Sequence, residues 1–159
     1  SYQYNLTGGS SPGNYTLSRG YAVMGQLTPS ADLAALRTNN TSATYTGSAS
    51  GTYYYNTAAQ NINGTFSTDI DFGTDQVSNV NLNFASPGIS MSTSGFAGVL
   101  NANGTFEITS PLAITTPGGG TASGSVTGAT YGTNAAAVGG VWEASTSTER
   151  ATGEFHGLR

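Results

Sequence analysis

The feature that most constrains the fold is a glycine-rich stretch at residues 124–144, in the last third of the chain. Glycine recurs there at short intervals, at Gly124, Gly128, Gly132, Gly139 and Gly140. A glycine inside a strand costs stability, so its repetition indicates close backbone approach or sharp bending, as in a small closed barrel. A short Asn-Ala-Ala-Ala corner at residues 134–137 divides the stretch. It therefore predicts a strand, a tight corner and a second strand.

A repeated motif places two hairpin turns in the middle of the chain. The pattern N-x-N-G-T-F occurs at residues 61–66 and again at residues 101–106. Asn-Gly is a strong hairpin signal, because both residues accept a positive φ. Apolar and polar residues alternate after each motif, and they also alternate through residues 79–84. This period of two is typical of half-buried antiparallel strands.

Taken together, the alternation and the turn residues predict an all-β protein. Eight antiparallel strands in sequence order fit an up-and-down β-barrel whose interior side chains fill the core. The length of 159 residues predicts one domain, with the barrel at residues 43–159. The predicted strands cover residues 43–55, 64–72, 76–85, 89–99, 104–110, 121–131, 138–145 and 150–158.

The first 42 residues predict a short strand and helix segment packed on the barrel or plugging one end. Short strands are expected at residues 2–6 and 20–25. A helix is expected to follow, with Thr28 as N-cap and Pro29 at the first helical position. Leu33 and Leu36 would form its apolar stripe.

Composition narrows the classes of partner. The chain has no cysteine and no lysine, and its four arginines face eight acidic residues, for a net charge of −4. Phosphate binding requires a basic face, so nucleic acid is not an expected partner. No apolar run reaches the length of a membrane helix. The sequence shows no signal peptide and no lipid-attachment cysteine, so we expect any export signal or lipid anchor to lie outside these residues.

Three local patterns resemble the β-barrel domain of transferrin-binding protein-like surface lipoproteins, a group that includes factor H-binding protein. Residues 45–53 look like the opening barrel strand of that family, and residues 64–77 look like its strand, DFG turn and following strand. Residues 124–140 are similar to the closing signature, and Gly153-Glu154-Phe155 stands in the last strand. Thr130 and Ala137 depart from the Phe and Glu that the family commonly shows.

The resemblance implies a rigid scaffold rather than an enzyme. We expect a secreted or cell-surface bacterial binding module, at the outer membrane or outside the cell, that binds a host protein or an iron or haem source. Two alternatives stay open at this stage. One is a structural subunit of an extracellular fibre or matrix, in which residues 1–6 complete the sheet of a neighbouring copy. The other is a small transmembrane β-barrel with a lipid-facing apolar band.

Two groups of side chains are candidates for ligand binding. Tyr53, Tyr54 and Tyr55 break the alternation, so at least one of them should be exposed at an interface. His156 is the only histidine and, like these tyrosines or Tyr131, could be an axial ligand of haem. No cofactor is otherwise expected.

The acidic residues Asp69, Asp71 and Asp75 form the one acidic cluster in the sequence. Asp69 and Asp71 share a strand face and should lie about 7 Å apart. With Gly73 and a loop carbonyl they could bind a cation, although the spacing of an EF-hand is absent. The alternatives are a solvated outer face and a hydrolytic pair of carboxylates. No serine or cysteine nucleophile with its partners is recognisable, so no catalytic residue is assigned.

Overall fold

The computed structural model describes residues 21–159 except residues 56–57, 94, 110–112 and 120. The described residues form one helix, ten strands and one 3-10 turn, Thr133–Ala135. The strands join into a single antiparallel sheet in the order β6-β8-β9-β10-β1-β2-β3-β4-β7, with β5 also paired to β3. The elements are α1 Ser30–Thr38, β1 Ser42–Tyr55, β2 Ala58–Asp71, β3 Gln76–Phe84, β4 Ile89–Ser92, β5 Phe96–Val99, β6 Thr105–Ile108, β7 Ala113–Thr115, β8 Ser123–Tyr131, β9 Ala137–Ser145 and β10 Glu149–Leu158.

The prediction of an all-β antiparallel fold is confirmed, whereas the count of eight strands is wrong. The predicted strand 89–99 is two strands, because β4 pairs with residues 81–84 of β3 and β5 pairs with residues 76–78. Asn79 accounts for the break. Its φ is 49°. Its side-chain oxygen accepts the N–H of Gly95, and its own backbone N–H donates to the carbonyl of Gly95. The short strand β7, which was not predicted, pairs with β4. The hairpin turn predicted at residues 61–64 is wrong, because these residues lie inside the continuous strand β2 and pair with residues 49–52 of β1.

The sheet curls until its two ends approach each other. A Cβ placed on Gly98 of β5 would lie 3.2 Å from the carbonyl oxygen of Glu107 in β6. No ladder of backbone pairs joins these two strands within the described ranges. The structure is therefore a curled, barrel-like sheet, and the hydrogen-bonded closure of a complete barrel is not present between β5 and β6. The short β5 is instead hydrogen-bonded to residues 76–78 of β3.

Aromatic side chains fill the interior, and glycines make room for them. The rings of Phe66 and Phe155 stack with centroids 4.3 Å apart, and those of Phe84 and Trp142 lie 4.7 Å apart. A Cβ on Gly140 would collide with the carbonyl oxygen of the paired strand and lie 2.8 Å from the Phe155 ring. The glycine-rich stretch thus packs aromatic rings against bare backbone, as the sequence predicted.

The interior is apolar and the outward positions are mostly polar. In β10 the inward residues Ala151 and Phe155 are buried, while the outward Arg150 and His156 are exposed. A membrane barrel needs an apolar band on its outer face. The arrangement of the described strands is the reverse of that, which disfavours the transmembrane alternative.

Helix α1 covers one end of the curled sheet, as predicted; we call this the helix end. Leu33 and Leu36 are buried in the core. Arg37 holds the helix in place, since its Nε donates to Asp75 Oδ1 at 2.7 Å and its Nη2 donates to the carbonyl of Asn101 at 3.1 Å. Asp32 accepts the backbone N–H of Asn134 at 2.7 Å, which ties the helix to the predicted corner.

The expected start of this helix is wrong by one residue. Pro29 is the N-cap, and no side chain caps the helix. Thr28 instead donates its backbone N–H to the carbonyl of Thr130, which adds the segment to the edge of β8. The tertiary pairing with β8 therefore prevails over the capping preference of threonine.

The predicted strand at residues 2–6 lies outside the described residues. The strand predicted at residues 20–25 is wrong for the described part, since residues 21–26 adopt no strand. That segment runs along the outer wall. The Val23 side chain lies over Gly139, and the Tyr21 hydroxyl hydrogen-bonds the hydroxyl of Thr52.

Candidate binding site

A surface depression of about 300 Å³ lies at the end of the sheet opposite α1. It forms where the last residues of β1 meet the turn between β9 and β10, because Tyr54 pairs with Arg150 and Tyr55 with Glu149. We call it the rim depression. It is lined by Tyr54, Tyr55, Ser145, Thr146, Ser147, Thr148, Glu149 and Arg150.

The three consecutive tyrosines occupy three different environments. Tyr53 points inward and is buried, whereas Tyr54 is half-buried on the outer face. Tyr55 follows at the rim, where 44% of it is exposed. Burial raises the pKa of Tyr53 to about 12, and the hydrogen bond that its phenol donates to Glu149 adds to the rise. Tyr54 and Tyr55 therefore offer surface to a ligand, and Tyr53 supports them from inside.

Glu149 is a buried carboxylate, only 4% exposed, beneath the rim depression. Its Oε1 accepts hydrogen bonds from the Tyr53 hydroxyl and, at 3.0 Å, from the Gly118 N–H. Its Oε2 accepts the Thr116 hydroxyl at 2.5 Å. Burial acts to raise the pKa of Glu149, but the hydrogen bonds from Thr116, Tyr53 and Gly118 outweigh it and hold the pKa below its usual value. An ionised Glu149 thus joins β1, β10 and the loop after β7.

Sequence reasoning missed Glu149, although a signal was available. Along β10 it shares the inward parity of Ala151 and Phe155, so alternation places a carboxylate in the core. A buried carboxylate needs partners. Tyr53, on the paired strand β1, was the nearest candidate.

The turn above Glu149 is fixed by a single side chain. The Thr146 hydroxyl oxygen accepts the backbone N–H groups of Thr148 and Glu149, at 3.2 and 3.0 Å. The Thr146 backbone N–H also donates to the Glu149 carbonyl at 2.9 Å. The wall of the rim depression is therefore held by internal hydrogen bonds, while Ser147 and Thr148 stay exposed to solvent.

His156 lies far from the tyrosines. It is exposed on the outer face of β10, opposite Ser48 and Gly139. Six residues separate it from Arg150, which is about 20 Å along a strand. Tyr131 is half-buried on the outer wall near the helix end, and burial raises its pKa. The structure does not bring these predicted haem ligands together, and the Tyr53 phenol is already engaged by Glu149.

The three aspartates have separate protein partners. Asp69 accepts the Thr44 hydroxyl at 2.6 Å and the Asn79 amide at 2.7 Å, and these two hydrogen bonds lower the pKa of Asp69 against the opposing effect of burial. Asp71 accepts a backbone N–H of its own turn, and Asp75 pairs with Arg37. No group of three His, Cys, Asp or Glu side chains that could hold a metal occurs in the described part of the chain. This geometry gives the cation prediction no support.

The fold matches that of a class of bacterial binding proteins, the transferrin-binding proteins B (TbpB). The TbpB of serogroup B Neisseria meningitidis aligns over 84% of this chain with a TM-score of 0.55 and 18% identity. A double mutant of TbpB from Haemophilus parasuis Hp5 aligns over 82% of it, with a TM-score of 0.53 and 14% identity. Intact Ap-TbpB, with its N and C lobes, aligns over 77%, with a TM-score of 0.51 and 15% identity. The predicted resemblance is confirmed at the level of the fold.

This chain spans only about a quarter of those proteins, 27%, 26% and 28% of their respective lengths. No family model and no curated protein matches the sequence. Among the described residues, no helix is both long enough and apolar enough to cross a membrane.

Proposed function

We propose that this chain is a non-enzymatic binding module on a bacterial surface, and that its rim depression contacts the partner. The observation that carries the proposal is the match to TbpB folds, which covers most of this chain. The proteins named above with this fold are transferrin-binding proteins by name. A curled sheet with a well-packed core suits this role, because it holds a contact surface rigidly.

The composition of the rim depression supports contact with a macromolecule. Exposed tyrosine supplies a large amphipathic surface at low cost in side-chain entropy, and neighbouring small hydroxyl residues supply adaptable hydrogen bonds. Tyr54 and Tyr55 lie beside four consecutive hydroxyl residues, 145–148. Arg150 adds a cation whose Nη2 lies 3.8 Å from Glu143, with both side chains largely exposed. Antibody binding loops use the same mixture of residues.

A binding titration tests the proposal. The protein is immobilised and exposed to iron-loaded transferrin, apo-transferrin and whole serum glycoprotein fractions, with biolayer interferometry as the measurement. We expect saturable binding to at least one host protein, weakened about tenfold or more when Tyr55 is replaced by Ala, since tyrosine is enriched among the interface residues whose truncation costs about 2 kcal/mol or more. The matched control is Val99→Ala, an exposed apolar residue at the helix end. Equal loss in both variants, or no saturable binding at all, would contradict the proposal.

Two other predictions are settled by separate measurements. A shift of the Soret band of haemin on addition of the protein, lost in His156→Ala, would favour an iron or haem source as the partner. Size-exclusion chromatography over a wide concentration range tests the fibre subunit. Concentration-dependent growth beyond a monomer would favour assembly over the binding module.

A further inference from the structure

We propose that the ligand of the rim depression is an uncharged carbohydrate, such as the terminal neutral sugar of a glycan on a host protein. This inference deepens the proposed function, because it assigns a ligand class to the same site. Three properties of the depression carry it: an aromatic face beside hydroxyl groups, a balance of charge that disfavours anions, and a floor that is already organised.

The first property is the pairing of an aromatic face with hydroxyl groups. One side of a sugar ring presents C–H groups and its edge presents hydroxyls, so a sugar site needs an apolar flat surface next to hydrogen-bonding groups. Tyr55 is the large exposed aromatic residue of the depression, and Tyr54 is half-buried beside it. Ser147 and Thr148 stand exposed across from them on the β9–β10 turn. Each hydroxyl can both donate and accept, as sugar hydroxyls require.

The size of the site fits the end of a glycan. Pockets for small ligands begin at about 300 Å³, and this depression has about that volume. The depression is open to solvent, so it can take the end of a glycan without enclosing the rest of the chain.

The charge of the surroundings decides against an acidic ligand. Glu149, kept ionised by its hydrogen bonds, lies under the depression, and Arg150 is paired loosely with Glu143. One arginine thus stands beside two carboxylates at the depression, which disfavours a sialic acid or another anionic group. A neutral sugar meets no such penalty.

The floor of the site is organised before any ligand arrives. Glu149 joins Tyr53, Thr116 and Gly118 beneath the depression, and Thr146 holds the turn above it. A site whose supporting groups are fixed loses less entropy on binding. Sugar ligands gain little from desolvation, so such rigidity is a condition for measurable affinity.

The test applies the purified chain to an array of neutral and sialylated mammalian glycans, followed by calorimetry with the best-bound neutral oligosaccharide. We expect binding to neutral terminal sugars and none that depends on sialic acid. Tyr55→Ala should weaken binding about tenfold or more, whereas Tyr55→Phe, which keeps the aromatic face, should change it less than about threefold. Val99→Ala should leave it unchanged. Circular dichroism and the unfolding midpoint establish that each variant is folded.

The outcomes separate this inference from the proposed function. Binding only to sialylated glycans, no glycan binding, or full binding by Tyr55→Ala would each overturn the carbohydrate assignment. Serum glycoproteins are then compared before and after enzymatic removal of their N-glycans. Undiminished binding of the deglycosylated protein would overturn the inference while leaving the proposed function intact. Glycan binding without recognition of any host protein would support the inference and overturn the host-protein partner.

Discussion

The phenol of Tyr53 donates a hydrogen bond to the carboxylate of Glu149 inside the curled sheet, directly beneath the rim depression. The two residues lie on adjacent strands, β1 and β10. The same carboxylate also accepts from Thr116 and Gly118, so one ionised group connects three segments of the chain. The predictions for this end of the molecule depend on that connection.

Replacing Glu149 by Gln should destabilise the fold. In the wild type, three donors share the two carboxylate oxygens of Glu149. The glutamine amide offers these donors one oxygen and an NH₂ group, so at least one donor loses its acceptor. We expect a loss of about 2–4 kcal/mol in the free energy of unfolding, since hydrogen bonds to charged groups are worth about 1.5–3 kcal/mol each. Urea unfolding measures it. Tyr53→Phe should cost less, and the double variant should cost less than the sum of the two. Strict additivity would refute the shared network.

The contribution of Glu149 should depend on pH. Its pKa in the folded protein lies below the usual 4.5, so its contribution is fully present above that value and is lost as the pH falls through the folded pKa. The difference in unfolding free energy between the wild type and Glu149→Gln should be constant from pH 7 to about pH 5 and then shrink toward pH 3. A difference that grows on acidification would show the opposite sign of shift.

Two neighbouring glycines of β9 should respond differently to substitution by alanine. A Cβ on Gly140 would collide with a carbonyl oxygen of β8, whereas a Cβ on Gly139 would first meet the Val23 side chain at 2.9 Å. Backbone cannot yield as a side chain can. We expect Gly140→Ala to cost about 3 kcal/mol or more and Gly139→Ala about 1 kcal/mol, within or above the usual range for overpacking. Thermal unfolding of both variants checks this, and equal losses would contradict the packing described for β9.

Removing Arg37 should loosen the helix end. Arg37→Ala deletes the bond to Asp75 and the bond to the Asn101 carbonyl. Because both charged side chains are partly exposed, solvent screening limits the expected loss of stability to about 1 kcal/mol. Amides of α1 should exchange faster with deuterium. The control is Arg150→Ala, whose ion pair at 3.8 Å is largely exposed and should contribute nothing measurable. Unchanged exchange in α1 would argue against Arg37 as its anchor.

The sequence was informative where local chemistry determines structure. The glycine run and the Asn134 corner predicted β8, β9 and the turn between them, and the apolar pair Leu33 and Leu36 predicted a helix against the core. The break between β4 and β5 could not be foreseen, because it depends on Asn79 adopting a positive φ and bonding Gly95 across the sheet.

The candidate site, too, could be predicted from the sequence only in part. The sequence singles out three consecutive tyrosines, Tyr53 to Tyr55, because they break the alternation. In the structure Tyr53 is buried beneath the site, whereas Tyr54 and Tyr55 lie at its surface. The distance between His156 and these tyrosines follows from the register of β10 on β1, which no local pattern reveals. The role of Glu149 depends on Thr116 and Gly118, which reach it from a distant loop.

The most direct test of the account is a comparison of wild type and Tyr55→Ala in binding to serum glycoproteins and to the neutral oligosaccharides released from them. The account predicts saturable binding to both by the wild type and a loss of about tenfold or more in the variant, with Val99→Ala unaffected. Wild-type protein that binds neither, or a Tyr55→Ala variant that binds as well as the wild type, would contradict it.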